Sequence, residues 1–332
     1  MRLTTCAQYA ATAVCGLVLA LGLSDTALAA KYVIKAAYEN NTGEPFDQSM
    51  REWARLFKER TNGEGEIRVF PSSQLGSKKD VMEQMQMGAA LVTVTDGAFL
   101  ADFGIPDFSI MLGPYLGRSP EEMAKLAETP WFKGLNKQLD DKGLHVLASN
   151  WFFGRRHILA KKPVHSPADL AGLKIRVPNT KIQIAGFEAM GATPTPMPWA
   201  EVYPALTTGV VDGAENAIPV MYGQKLHEQA KYLILSGHVD LMSQIVCGTK
   251  YFNKLPADIQ KALTDTCLEA GLFQTDLIQK VDNEYIDKMK TEGVTVIEVD
   301  REQFAKAAEG AYGKFPDWTP NLYETLQKEL GR

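Results

Sequence analysis

The stretch SPADLAGLKIRVP, at residues 166–178, ends in a segment where apolar and basic side chains alternate. Apolar positions 173, 175 and 177 enclose Lys174 and Arg176, and alternation with a period of two predicts a β-strand. Pro178 ends the strand, because proline cannot donate to a sheet ladder. Arg176 then lies opposite the apolar face, close to the strand end. On these residues alone, a solvated arginine on a half-exposed sheet is the simplest interpretation.

Short strands and amphipathic helices alternate along the rest of the chain. Further strands are predicted at residues 32–37, 66–70, 91–95 and 144–148. A first helix is predicted from Phe46 to the stop signal Asn62-Gly63, and a second from the capping pair Ser77 and Asp80 to Gln86. Two more helices are predicted, one at about residues 180–190 and one that begins near Trp199. This alternation predicts an α/β fold, with mainly parallel sheets and helices on both faces.

A helical pattern without a persistent heptad seam runs from Pro256 to about Thr291. It predicts two helices, or one long helix packed along two lobes, rather than a coiled coil. The chain also has no Gly/Ser-rich linker. Two lobes without a linker indicate that the chain crosses between them more than once, as in hinged ligand clamps.

The first residues are typical of a signal peptide. Arg2 precedes an apolar run at residues 11–23 that is too short for a lasting transmembrane helix. The sequence ALA at residues 27–29 fits a signal-peptidase site. We therefore predict that residues 1–29 are removed during export. A lipoprotein anchored at Cys15 and a retained N-terminal anchor are the alternatives.

The charge balance argues against a nucleic-acid partner. The chain carries 35 basic and 40 acidic residues, for a formal net charge of -5, and it contains no basic run. Nucleic acid requires a basic surface for its phosphates, so we expect no nucleic-acid partner. An anionic ligand would have to be bound by local positive groups.

Two cysteines remain beyond the signal peptide, Cys247 and Cys267. A disulfide can form outside the cytoplasm, so a bridge between them is one interpretation. Cys247 lies in an apolar stretch and Cys267 in a helical pattern, which favours two buried thiols instead.

The chain lacks the sequence patterns of common enzyme sites. Its five histidines have no close helical spacing of the kind that binds zinc, and there is no nucleophile elbow, phosphate loop or dinucleotide fingerprint. Asp212 and Glu215 are carboxylates that a general acid and base would need, but no further constellation accompanies them. We therefore predict no catalytic activity, no metal and no cofactor.

Four motifs, in a fixed order along nearly the whole exported chain, carry a family resemblance. They are FPSSQLG at 70–76, SPADLAGLKIRVP at 166–178, GATPTPMPW at 191–199 followed by Glu201-Val-Tyr203, and DGAEN at 212–216. In these motifs the chain resembles the solute-binding proteins of tripartite ATP-independent periplasmic (TRAP) transporters, the DctP family.

The resemblance implies the two-lobed periplasmic solute-binding protein fold, with a ligand cleft between the lobes. We predict a first lobe of residues 30–153 plus about 242–281 and a second lobe of residues 154–241 plus about 282–332. The resemblance further implies a periplasmic protein that captures a small carboxylate ligand and delivers it to the TRAP membrane permease subunits. We expect it to act as a monomer.

The same resemblance implies a set of ligand-binding residues. Arg176 becomes the principal clamp for a ligand carboxylate, which its planar guanidinium matches better than a lysine would. Arg156 becomes a second arginine near the ligand, with adjacent Arg155 as the alternative. The remaining candidates are the amide of Asn216, the aromatic wall Trp199, and the strand ends Tyr38, Glu39, Asp96 and Asn179.

Two features of the chain leave parts of this site open. The family commonly continues Glu-Asn-Pro, whereas this chain has Glu215-Asn-Ala-Ile-Pro219, which could shift the side chain of Asn216. The aromatic run at residues 151–153 could narrow the cleft or offer a stacking surface, although core packing of alternate members fits strand geometry better.

The resemblance leaves the ligand and one alternative function open. C4-dicarboxylates, sugar acids, sialic acid, keto acids and aromatic acids all carry the carboxylate that Arg176 would bind. A secreted enzyme acting on an organic or sugar acid in the same cleft is the alternative from another class, and a ligand-sensing subunit of a membrane receptor is a third interpretation.

Overall fold

The computed structural model describes residues 30–332, and the predicted signal peptide at residues 1–29 lies outside this part. Within it, the strands are β1 Tyr32–Ala37, β2 Gly65–Phe70, β3 Leu91–Thr95, β4 Leu144–Ala160, β5 Lys174–Val177, β6 Thr193–Pro196, β7 Gly213–Ala217, β8 Tyr232–Gly248 and β9 Thr295–Ile297. The helices are α1 Pro45–Arg60, α2 Lys78–Gln86, α3 Gly97–Ala101, α4 Pro120–Ala127, α5 Pro130–Asp141, α6 Lys181–Ala189, α7 Val202–Thr208, α8 Ile218–Gly223, α9 Thr249–Phe252, α10 Ala257–Thr291, α11 Arg301–Ala308 and α12 Leu322–Glu329.

The strands form one sheet in the order β2-β1-β3-β8-β4-β7-β5-β6, with β9 added beside β8. At one end β1 pairs in parallel with β2 and β3, and at the other end β5 pairs in parallel with β6 and β7. Each parallel group is the core of one lobe: the first lobe carries β1–β3 and the second carries β5–β7. The predicted two-lobed α/β fold with parallel sheets and flanking helices is therefore confirmed.

The centre of the sheet is antiparallel, which the sequence patterns did not predict. Strands β4 and β8 are 17 residues each and pair with one another along most of their length. At one end β8 also pairs with β3, and at the other end β4 pairs with β7. The two long strands therefore pass through both lobes, as expected for a chain without a linker, and the predicted strand at 144–148 is only the first part of β4.

The pairing of β4 with β8 is irregular through the middle of both strands. Register shifts occur between Val146 and Ala148, Ala148 and Trp151, Phe152 and Gly154, and Arg156 and Ile158. Gly154 has a φ of 124°, which side-chain-bearing residues rarely adopt, and a Cβ there would lie 2.9 Å from the Cβ of Ala217. This glycine allows the strand to bend directly before it supplies its two arginines.

Helix α10 is a single helix of 35 residues, about 50 Å long at 1.5 Å per residue. It packs against α1 and β4 of the first lobe and also against α8 and β9. Of the two interpretations of this helical pattern, the single helix along both lobes is confirmed. The exact residue ranges of the lobes stay a prediction, because β4, β8 and α10 contribute to both.

Local signals in the sequence agree with the structure at several elements. Strand β1 has the predicted bounds, and Ser77 with Asp80 forms a reciprocal capping box at the start of α2. Cys247 and Cys267 are free thiols, both fully buried, so a disulfide is not formed. Burial raises the pKa of the Cys267 thiol well above its ordinary value.

Within residues 30–332, no helix combines the length and the apolar character that a membrane span needs.

Candidate functional site

A cavity of about 180 Å³ lies between the lobes. The first lobe lines it with the residues after β1, the start of α2 and the end of β3. The second lobe lines it with the end of β5, the segment before α7, and the junction of β7 with α8. Side chains of the crossing strands β4 and β8 form its floor. The cavity therefore lies at the carboxyl ends of parallel strands, where open α/β sheets bind ligands.

Seven of the eight predicted site residues line this cavity. They are Glu39, Asp96, Arg156, Arg176, Asn179, Trp199 and Asn216. Tyr38 is placed elsewhere: its side chain packs edge-on against Phe46, and its hydroxyl donates to Asp47 at 2.6 Å. Successive side chains point to opposite sides of an extended segment, so Tyr38 enters the core where Glu39 faces the cavity.

Arg176 is a buried arginine that has no carboxylate partner among residues 30–332. Only 4% of its surface is exposed, so the interpretation as a solvated sheet residue is wrong. Its Nε and Nη2 donate to the carbonyl of Met197 at 3.0 and 2.7 Å, and no salt bridge to it occurs within residues 30–332. Burial lowers its pKa to about 10. The guanidinium also lies over the ring of Trp199, 5.1 Å from the centroid.

Arg156 is also buried, but its charge is neutralised by Glu215. The two side chains form a bidentate salt bridge, with Nε and Nη2 each 2.7 Å from a carboxylate oxygen. His238 Nε2 lies 3.1 Å from the same carboxylate, and Arg156 holds the pKa of Glu215 well below its ordinary value despite burial. Glu215 is therefore a structural partner of Arg156, and its fixed charge does not suit a general base.

The two adjacent arginines of β4 face different surroundings. Arg155 Nε and Nη2 donate to both oxygens of Asp240, at 2.8 and 3.1 Å, and this side chain does not line the cavity. Arg156 does line it. Of the two alternatives that the sequence left open, Arg156 is the one beside the cavity.

Asn216 keeps a usable orientation although the proline of its motif is displaced. Its Oδ1 accepts a hydrogen bond from the Ala217 amide at 2.9 Å, which leaves the side-chain NH2 as its donor toward the cavity. Pro219 is accommodated in the first turn of α8, where a proline amide is not needed. The displaced proline therefore starts a helix and does not remove Asn216 from the cavity.

Sequence reasoning missed Lys78, which lines the cavity, and of the aromatic run at residues 151–153 it favoured core packing, whereas Phe153 lines the cavity. Lys78 Nζ lies 3.5 Å from Glu39 and 3.8 Å from Asp96. Its only sequence signal is its place directly after the Ser77 cap, behind the FPSSQLG motif. Phe153 was expected to follow strand alternation, but the register shifts in β4 break that pattern. Trp151 and Phe152 are therefore both buried, while Phe153 reaches the cavity.

The side chains around the cavity offer charge and hydrogen bonds rather than metal ligands. Within residues 30–332, no three His, Cys, Asp or Glu side chains are grouped so that they could hold a metal ion.

A family model described as bacterial extracellular solute-binding protein, family 7, the DctP family, matches residues 36–316. The chain belongs to this family. The resemblance seen in the four sequence motifs is thereby confirmed, and the family is one of transport proteins.

Two solved relatives are similar to this solute-binding protein over almost its whole length. A TRAP periplasmic solute binding protein from Ochrobacterium anthropi, with bound L-fuconate, is 48% identical and has a TM-score of 0.88 over 91% of this chain and 100% of its own. One from Actinobacillus succinogenes 130z, with bound L-galactonate, is 40% identical with a TM-score of 0.88, over 90% and 99%.

A curated relative is similar at lower identity. The C4-dicarboxylate-binding periplasmic protein of Rhodobacter capsulatus is 32% identical over 277 residues, which is 83% of each chain. These three relatives are thus periplasmic proteins whose ligands are small organic acids.

Proposed function

We propose that this protein is the extracytoplasmic solute-binding subunit of a TRAP transporter and that it captures a small sugar acid. The observation that carries the proposal is the buried guanidinium of Arg176, which lines the cavity and has no carboxylate partner in the described part of the chain. The captured acid is then delivered to the membrane permease subunits.

The charge of Arg176 favours an anionic ligand for a physical reason. Burying a cation without a partner costs several kcal/mol, and only a paired, hydrogen-bonded anion offsets that cost. A ligand carboxylate can occupy the guanidinium edge that the Met197 carbonyl leaves open, and the NH2 group of Asn216 can donate to the same carboxylate. Arg156 is less suited to this role, because the carboxylate of Glu215 already compensates its charge.

The size and lining of the cavity favour a small, polar solute. Its volume of about 180 Å³ is below the roughly 300–1,000 Å³ of pockets for drug-sized ligands. One wall is the ring of Trp199, and the opposite lobe supplies charged groups. The two solved relatives described above hold L-fuconate and L-galactonate, which are small monocarboxylates with several hydroxyl groups.

Capture requires the two lobes to close over the solute. A salt bridge open to water contributes about 0–1 kcal/mol, whereas micromolar binding needs about 8 kcal/mol. Residues 30–153 with about 242–281 and residues 154–241 with about 282–332 are the ranges that we propose to move as lobes. The protein acts outside the cytoplasm after removal of residues 1–29, as a monomer, and binds its ligand without chemical turnover.

Calorimetry with a panel of organic acids tests this function. The wild-type protein should bind a sugar acid, and Arg176→Ala should weaken binding roughly 100-fold or more, because two charge-assisted hydrogen bonds are lost. Arg176→Lys should also weaken it, since the planar fork is lost. Arg118→Ala, which removes the same charge from an exposed pair with Glu302, is the matched control and should bind normally.

Two results would contradict the proposal. Near-native affinity of Arg176→Ala for the bound acid would remove its basis. Conversion of that acid to a product by the purified protein would favour the enzyme interpretation instead.

A further inference from the structure

The first-lobe wall of the cavity carries a cluster of three charged side chains, here called the Lys78 cluster: Lys78, Glu39 and Asp96. We propose that the Lys78 cluster determines specificity, because it accepts the hydroxyl groups of a polyhydroxylated monocarboxylate and rejects a second anionic group. This inference rests on the proposed function and assigns the part of the solute that Arg176 does not bind.

The cluster is held in place and is largely shielded from water. The side chains of Lys78, Glu39 and Asp96 are 13%, 21% and 7% exposed. Asp96 Oδ1 accepts hydrogen bonds from the amides of Ala98 and Phe99 at the start of α3, which fixes the carboxylate and leaves Oδ2 toward Lys78. The Lys78 ammonium also lies over the ring of Phe99, 4.6 Å from its centroid.

The distances within the cluster leave hydrogen-bonding capacity for a ligand. Lys78 Nζ is 3.5 Å from Glu39 Oε2 and 3.8 Å from Asp96 Oδ2. Tight charge-assisted hydrogen bonds of this kind measure about 2.7–2.9 Å. The ammonium therefore keeps donors, and both carboxylates keep acceptor positions, around a space that opens into the cavity.

A hydroxyl group suits this arrangement because it both donates and accepts. It can donate its proton to Glu39 or Asp96 and accept a hydrogen bond from Lys78 at the same time. Two hydroxyls on neighbouring carbons would use both carboxylates. A ligand without hydroxyls would leave the remaining donors of Lys78 and acceptors of both carboxylates without hydrogen-bond partners in a closed cavity, which lowers its affinity.

A second anionic group does not suit the cluster. It would meet two carboxylates and one ammonium, so the cluster carries a net negative charge toward it. Asp102 and Lys79, which also line the cavity, add one acidic and one basic group on the same side, so three carboxyl groups face two ammonium groups there. Arg176 on the second-lobe wall is the cation that a ligand anion can pair with, and we infer one anion position there and one hydroxyl position at the Lys78 cluster.

Titration calorimetry with three six-carbon acids separates these requirements. The probes are L-galactonate or L-fuconate, whichever binds more tightly, with hydroxyls and one carboxylate; galactarate, with hydroxyls and two carboxylates; and hexanoate, with one carboxylate only. The wild-type protein should bind galactarate and hexanoate at least about 100-fold more weakly than the hydroxylated monoacid.

The variant Glu39→Gln assigns the discrimination to the cluster. It should weaken binding of the hydroxylated monoacid by roughly 10- to 100-fold and should not weaken galactarate, so that the ratio of the two affinities falls. Glu59→Gln removes the same charge from an exposed position on α1, where Glu59 pairs with Arg55 away from the cavity, and should leave that ratio unchanged. Thermal unfolding of each variant confirms that it is folded.

The outcomes distinguish this inference from the function on which it rests. If galactarate binds the wild-type protein as tightly as the hydroxylated monoacids do, or if the folded Glu39→Gln variant keeps the wild-type ratio, the specificity role is wrong while the solute-binding function stands. If none of the three kinds of acid binds, and the wider panel of organic acids fails as well, the proposed function itself is wrong.

Discussion

Glu44 is a buried carboxyl group at a contact between the lobes, and its titration should be visible in the stability of the protein. It precedes α1 and is 4% exposed. Its Oε2 accepts a hydrogen bond from Asn40 at 2.8 Å, while Oε1 has no hydrogen-bond partner within residues 30–332. Across the contact it lies against Gly223 at the end of α8, where a Cβ would come within 2.2 Å of Oε1.

The surroundings of Glu44 favour its protonated form. Burial raises its pKa to about 7, and the hydrogen bond from Asn40 opposes this only in part. The nearby acidic Asp47 raises the pKa of Glu44 further. The neighbouring hydroxyls of Tyr38 and Tyr285 carry no positive charge that would lower it.

The direction and size of the change in stability with pH follow from the pKa of Glu44 in the unfolded and in the folded protein. In the unfolded chain Glu44 titrates near its ordinary value of 4.5, and in the folded protein near about 7. The folded state therefore binds the proton more tightly, and the stability that this contributes is present below pH 4.5 and is lost as the pH rises through about 7. At 1.36 kcal/mol per pH unit, the loss amounts to about 3 kcal/mol.

The substitution Glu44→Gln should remove this pH dependence. Urea unfolding at several values between pH 5 and pH 8 gives the free energy of unfolding for each protein. Between pH 5 and pH 8 the free energy of unfolding of the wild type should fall relative to that of Glu44→Gln, by most of the loss of about 3 kcal/mol. The variant should therefore be the more stable protein at pH 8. Glu83→Gln, an exposed carboxyl group on α2, should keep the wild-type slope. Parallel pH profiles for the wild type and Glu44→Gln would refute the reasoning.

Two further predictions concern the interior of the protein. A thiol reagent should label neither Cys247 nor Cys267 in the folded protein and both after denaturation, because both thiols are fully buried; rapid labelling of the native state would contradict this. Gly154→Ala should reduce the free energy of unfolding by about 1–3 kcal/mol, since its φ of 124° is strained for alanine and the new Cβ meets Ala217. Gly134→Ala on α5, where nothing lies within 4 Å, should not destabilise the protein, and equal urea midpoints for the two variants would count against the strain.

The sequence correctly predicts those elements that are determined by residues close together in the chain. The alternation in β1 and the capping pair of α2 depend on residues next to each other, so the sequence predicts them correctly. The motif around Arg176 predicts that this arginine binds the ligand. Its burial, however, depends on Met197 and Trp199, which pack around it from a later segment of the chain. No periodicity of β5 alone distinguishes a buried arginine from a solvated one.

The rest of the site depends on distant parts of the chain. The strand prediction at 144–148 stopped short because four register shifts in the pairing with β8 interrupt the alternation of β4. Lys78 is at the start of a helix, and only the fold brings it to Glu39 and Asp96, which follow two different strands. The direction of Tyr38 is likewise set by a partner on α1, Asp47.

The continuity of β4 and β8 limits how the cavity can open. Because both strands run hydrogen-bonded through the two lobes, one lobe cannot slide along the other without breaking a ladder of backbone hydrogen bonds. We therefore expect the lobes to rotate about an axis across this two-stranded ribbon, where register shifts between Val146 and Ile158 interrupt the ladder. Arg156 and Glu215 lie on β4 and β7, which pair with each other, so we expect their salt bridge to stay intact when the lobes separate. Arg176 would travel with the second-lobe wall away from Lys78. Loading and release would then act on the distance between the two ends of the solute, while the charge of Arg156 stays paired throughout.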